Sequence, residues 1–291
     1  MVALRYASRV VSLTLGIALA VIAGCGGGSS APTGNSGGGD DEPPTDGPAG
    51  VCGIPQASGL SSPGPAEGIW RGRVEIWAGT YLFAVYPLSG LVTADGEAYF
   101  QVGSSQLWAG TVLASESGVR TSVTPYWRSA DGGLGGSNDA PISSAHLNLT
   151  FSDATSRTSL TGRFTAYPFA SCEDFELQFD DGYLRPASLS SVAGVYSAAE
   201  EDGYTLTVTI HADGQLDGSD TRGCVLYGDV TIPDSTKNIY RAVVAASSCA
   251  TLNGHFEGLM YQQDFAQPDD NASLVMLLSN GDNAIFYTLT R

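Results

Sequence analysis

The chain has 291 residues, 43% of them hydrophobic, and a formal charge of −17 from 13 basic and 30 acidic side chains. So acidic a surface repels phosphate backbones and anionic headgroups, which argues against nucleic-acid binding and against membrane adhesion through a basic patch. Neutral, cationic or basic partners fit it better.

The N-terminus has a basic start (Arg5, Arg9) and an apolar core from Val10 to Ala23. That core is shorter than the roughly 20 apolar residues of a membrane-spanning helix, so residues 1–24 read as a signal peptide to be removed. Its loss takes away two arginines and no acid, moving the charge to −19. The run Ile22-Ala23-Gly24-Cys25 resembles the lipobox of bacterial lipoproteins. The resemblance implies that Cys25 becomes the acylated first residue and anchors the chain to a bilayer. In that class an aspartate after the cysteine often signals inner-membrane retention. Gly26 stands there, so the resemblance implies the outer membrane, on either leaflet.

Residues 25–51 follow as a segment rich in Gly, Ser, Pro and Asp that cannot pack a core. As a flexible chain its reach is about 28 Å, enough to serve as a disordered tether. Gly34-Asn35-Ser36-Gly37-Gly38 formally matches a G-x-S-x-G nucleophile motif. That motif needs a strand before it and a helix after it, and neither flank supplies one.

From Cys52 onward the hydrophobic period is two. In Tyr204–His211 apolar and polar residues alternate, as they do around Leu147, Leu149 and Phe151 and around Phe175, Leu177 and Phe179. Asp95-Gly96, Asp213-Gly214, Asn253-Gly254 and Asn280-Gly281 supply hairpin turns. The pattern predicts an all-β protein of two tandem antiparallel meander barrels, or barrel-like sandwiches, over residues 52–187 and 188–291. Its general plan resembles the barrel lobes of surface lipoproteins, with no sequence motif of such lobes matched.

The tandem reading rests on an internal echo. Ala94-Asp95-Gly96 recurs as Ala212-Asp213-Gly214, and Trp108–Val112 as Leu226–Val230, both at an offset of 118. Gly68-Ile69-Trp70 resembles Gly194-Val195-Tyr196, and Ser159–Phe164 resembles Thr251–Phe256 at an offset of 92. The change of offset implies an insertion in the first unit that includes the glycine-rich stretch 131–138, read as a long loop. Tyr126, Trp127 and Arg128 precede it and are the candidate binding residues; alternatively, Tyr126 and Trp127 fill one mouth of the barrel.

Setting Cys25 aside, Cys52, Cys172, Cys224 and Cys249 form an even set in an exported chain, which suggests two disulfides. Of the three pairings we prefer Cys224–Cys249. If Ile232 faces Ile239 across a hairpin, the residue opposite Cys224 is near 247, and Cys249 is one small register shift away. Cys52–Cys172 would be the second bridge. The chain-entropy model assigns the two about 3.5 and about 5 kcal/mol.

Signals for enzyme chemistry are weak. His146, His211 and His255 form no H-x-H or H-x-x-x-H pair, and no C-x-x-C spacing suggests a metal site. The acidic clusters Asp180-Asp181, Glu200-Glu201-Asp202, Asp213 with Asp217 and Asp220, and Asp269-Asp270 read as solvated turns, with no EF-hand order and no cofactor implied. The sequence therefore points to a non-enzymatic ligand- or protein-binding module of the cell envelope. An assembly accessory docking an integral membrane protein is the alternative, and a secreted-type hydrolase the less favoured one.

Overall fold

The computed structural model describes residues 66–78, 81–115, 118–128, 136–137, 144–151, 158–167, 172–249, 252–264 and 272–291. Cys25, the tether, Cys52 and residues 131–135 lie outside the described residues.

Strands β1 (Gly68–Ala78), β2 (Tyr81–Val92), β3 (Glu97–Val102), β4 (Gln106–Ala114), β5 (Gly118–Arg128), β7 (Ser144–Phe151), β8 (Ser159–Tyr167) and β9 (Cys172–Asp180) pair in antiparallel succession. β9 returns to β1, Trp70 facing Phe179, so eight strands close on themselves. The short β6 (Gly136–Ser137) lies outside that ring. A 3-10 turn (Asp181–Leu184) and α1 (Leu189–Val192) lead out of it.

The chain then runs through β10 (Gly194–Ala199), β11 (Thr205–Ile210), β12 (Gln215–Asp220), β13 (Val225–Thr231), β14 (Tyr240–Ser247), β15 (Gly254–Gln263), β16 (Ser273–Ser279) and β17 (Asn283–Thr290). Each pairs with its successor. Ser197 opposite Thr290 joins β10 to β17 and closes the second ring.

Alternation does what pleated geometry requires. Along β11 and β13 every second residue is buried, and Leu206, Val208, Ile210, Leu226 and Val230 enter one core with Tyr196, Phe256, Met260 and Met276. In the first ring Trp70, Leu88, Phe100, Trp108, Val123 and Leu177 form another. An eight-stranded barrel is just wide enough for side chains to fill, and large aromatic residues fill both rings. Trp70 Nε1 donates to Ala66 O at 2.9 Å and Tyr196 OH to Val192 O at 2.8 Å, each to a carbonyl four residues back, so both buried polar tips are satisfied.

The turns of the internal echo share their hydrogen bonds. Gly96 N donates to Thr93 O at 3.0 Å and Gly214 N to His211 O at 3.0 Å. The carbonyls of these two glycines accept from Val112 N at 2.8 Å and Val230 N at 2.7 Å. Gly96 and Gly214 have φ of 91° and 95°, a region side chains rarely enter, which is why both turns carry glycine. The other echo, at an offset of 92, does not join equivalent strands: β8 is the seventh strand of its ring and β15 the sixth of the other. Ring position pairs β7 with β15 instead, so the insertion between them is shorter than the two offsets implied.

Cys224 and Cys249 form a disulfide with Cα atoms 4.3 Å apart. Val225 faces Ser247 and Thr231 faces Arg241, one residue from the register expected of an Ile232–Ile239 pair. Ser248, at φ 58°, bends the chain so that Cys249 reaches Cys224. Cys172 opens β9 opposite Thr165, but its bridge to Cys52 lies outside the described residues. Replacing Cys224 and Cys249 together with alanine should lower stability by about 3.5 kcal/mol, the chain-entropy value for a loop of this length. Urea midpoints of the two proteins check it, and a loss under about 1 kcal/mol would mean the bridge adds little constraint.

Candidate functional site

Some strands have two buried faces. β16 is buried from Ser273 to Leu278, β17 from Ala284 to Tyr287, and β3 from Ala98 to Val102. Their alternate residues face away from the ring interiors and meet one another: Ile69, Leu91, Tyr99, Leu107 and Tyr126 of the first ring pack with Leu259, Tyr261, Val275, Leu277 and Phe286 of the second. This apolar seam is a third core. Burial of each large side chain in it is worth about 1.5–3 kcal/mol.

Charges fasten its margins. Arg241 of β14 is ion-paired with Glu97 of β3 in the opposite ring and, at 3.0 Å, with Glu257 of β15. Tyr99 OH donates to Glu97 Oε1 at 2.9 Å. Arg185 holds Asp264 at 2.7 Å. Asn238, 3% exposed, donates from Nδ2 to Gln262 O at 2.7 Å and Gly182 O at 3.1 Å, pinning the connecting turn to the second ring.

Two of the sequence's three candidates, Tyr126 and Arg128, belong to this seam. Tyr126 is buried in it and donates to Gly281 O at 3.1 Å. Arg128 pairs with Glu200 at 2.5 Å, donates to Phe286 O at 2.8 Å and lies 4.2 Å from the ring centroid of Tyr287. Trp127 is half-buried with its Nε1 enclosed. The glycine-rich stretch, read as a loop, supplies β6 instead. Gly136 and Ser137 face Arg128 and Trp127 of β5 on one side and Ala284 and Asn283 of β17 on the other. Two residues thus stitch the sheets of both rings together. A Cβ on Gly136 would stand 2.4 Å from Trp127 O, so only glycine allows that approach.

The histidines fall on three different stretches of the sheets. The backbone of His146 lies in β7, His211 sits at the end of β11 with Nε2 2.8 Å from Asp217, and His255 is exposed on β15. Several acids expected in solvated turns have structural work: Asp180 holds Arg71 and accepts from Gly182 N, Glu200 holds Arg128, and Asp220 accepts from Cys224 N at 2.9 Å.

Two clefts open along the seam. The larger, about 520 Å³, lies between Thr93, Ala94 and Asp95 of the first ring and Asp234, Ile239 and Arg241 of the second, with Glu67 and Tyr183 at its side. Hydrogen bonds from Thr93 to Asp95 and from Thr236 to Asp234 hold both carboxyls below the usual range, so the cleft is anionic at neutral pH. The smaller, about 250 Å³, is lined by Arg71, Ser89, Gln101, Gln263 and Thr288. Elsewhere, Val225, Tyr227 and Val243 lie exposed on the outer face of β13 and β14.

No family model matches the chain, and no curated protein matches it. Among solved structures it is similar to the crystal structure of a "putative outer membrane protein" from Bacteroides fragilis NCTC 9343, at 10% identity and a TM-score of 0.27, over 77% of this chain and 97% of the other. A likeness of that degree carries no argument about activity.

Two measurements probe the seam. Arg128→Met should cost about 2–3 kcal/mol, because it leaves Glu200 partly buried without its partner; denaturation of the single variants and of Arg128→Met/Glu200→Gln would show the coupling. Burial pushes the Tyr287 phenol up to about 12 and raises Tyr99 and Tyr126 as well. The folded state therefore keeps phenol protons that an unfolded chain releases near pH 10. Stability should be level below pH 10 and fall as pH rises through 12, with about 2–3 kcal/mol lost through Tyr287 alone. Urea midpoints between pH 8 and 12 test this.

Proposed function

We propose that this chain is a lipid-tethered, non-enzymatic binding module of the bacterial cell envelope that takes a small polar ligand at the seam between its rings. One observation carries the reading. Among the described residues both ring interiors are packed with side chains, while open clefts lie where the rings meet, lined by residues from both. Ligand sites favour such junctions, because a rigid body on each side holds the polar groups in place. A filled barrel offers a small molecule no interior.

The anchor has its own test. Cys25→Ala should leave the protein unlabelled by radioactive palmitate and release it from the membrane fraction. Unchanged labelling would remove the lipoprotein reading. For the binding site, ligand-observed NMR against a library of amines, amino acids and sugars should find at least one bound class. Ala94→Trp fills the larger cleft and Ser89→Trp the smaller; one of the two should abolish that binding without changing the melting temperature. Binding indifferent to both, or none at all, would place the function elsewhere.

A second reading is docking onto an integral membrane protein, favoured by the exposed Val225, Tyr227 and Val243. Asp217, Asp229 and Glu257 lie on the same outward face, so this strip suits a partner with an apolar centre and a basic rim. Crosslinking in cells should then recover one stoichiometric outer-membrane protein with the native chain and none with Tyr227→Asp.

A further inference from the structure

The smaller cleft has a built polar wall. Arg71 faces Ser89 across β1 and β2, and Ser89 faces Gln101 across β2 and β3, so the three stand side by side in one cross-strand row. The residues next to them, Trp70, Leu88 and Val102, enter the core of the first ring, and the row therefore turns outward, toward the second. The same row continues through Leu107 and Tyr126, which are buried in the apolar seam. Only its polar half meets polar residues opposite, Gln263 and Thr288, and there the rings leave a gap of about 250 Å³.

Gln101 is the decisive group. It is 6% exposed, it lines the gap, and its Oε1 has no hydrogen-bond partner among the described residues. Buried amides are ordinarily satisfied, and one whose enclosed Oε1 stands unpaired in the wall of a cleft can turn toward a partner that brings a donor. Arg71 is already neutralised by Asp180, with its guanidinium 5.9 Å from the ring centroid of Tyr261. The wall thus offers a fixed planar donor, two amides and two hydroxyls, without net charge.

We infer that this cleft binds one neutral, hydroxyl-rich ring, a single saccharide unit. Every hydroxyl of such a ring both donates and accepts, which matches amides and hydroxyls that do the same. An anion would meet Asp180 and the acidity of the whole chain; an ammonium would meet Arg71. Pro87, on the same outward face as Ser89, gives the ring's C–H face an apolar edge. The volume falls just below the roughly 300–1,000 Å³ of sites for drug-sized ligands, which fits one sugar unit better than an oligosaccharide. The inference rests on the seam-binding reading and names its ligand.

The test is saturation-transfer NMR on the full chain in detergent, with glucose, galactose, mannose and N-acetylglucosamine as separate probes. At least one should bind, and Gln101→Leu should weaken it at least about tenfold, the effect of losing a buried hydrogen bond to the ligand. Gln263→Ala, on the opposite ring, should weaken the same sugar and guards against a folding defect in Gln101→Leu. If no monosaccharide binds, or if binding ignores both substitutions, the inference is overturned, and an ordered water is all that Gln101 holds. Amines or amino acids bound in the larger cleft, in the absence of any sugar, would overturn it while leaving the seam-binding reading intact.

Discussion

The apolar layer between the rings is the constraint on which the rest depends. Each ring fills its own interior, so neither needs the other to bury the residues of its inward faces. Yet Tyr99, Leu107, Leu259, Leu277 and Phe286 lie on outward faces and would meet water in separated rings. Joining them buries two faces of β3, β16 and β17 at once. That accounts for the continuous apolar run from Leu274 to Leu278 in a chain that otherwise alternates.

With the apolar centre fixed, polar groups at its edge are forced into choices. Arg128, Arg241 and Arg185 become clamps, each paired with a carboxylate, and Arg128 and Arg241 each span the two rings. A chain with so few basic residues commits several of them here. Acids in turns are accordingly not all solubilising: Asp180 and Glu200 hold arginines whose loss would leave a charge partly buried. Where the facing rows stop being apolar, the rings do not close completely, and the two clefts are the result. The sites with polar groups from both rings thus follow from the same packing that joins them.

Much of the fold was legible because strand periodicity is local. Alternation at Thr205–Ile210 and the paired Asp-Gly turns with glycine at positive φ identify antiparallel hairpins without reference to the rest of the chain. The Cys224–Cys249 bridge was legible for the same reason, since a hairpin register needs only its turn and the lengths of its strands. The candidate site was less so. Tyr126 and Arg128 were singled out as aromatic and basic residues beside a glycine-rich stretch, a pattern equally suited to an exposed binding loop and to a buried suture. Gln101 carried no signal, because a lone glutamine in an apolar strand resembles an ordinary outward-facing residue.

By itself the sequence determined the all-β character, the main hairpin turns, the hairpin disulfide and the division of side chains into two faces per strand. Those depend on a residue and neighbours within a hairpin's reach. Only the tertiary structure decided which outward faces meet, because that depends on the curvature and closure of two sheets and on the two-residue strand Gly136–Ser137 that joins them. Side-chain parity separates inside from outside within a ring. It has no means of separating an outside that faces water from an outside that faces another ring.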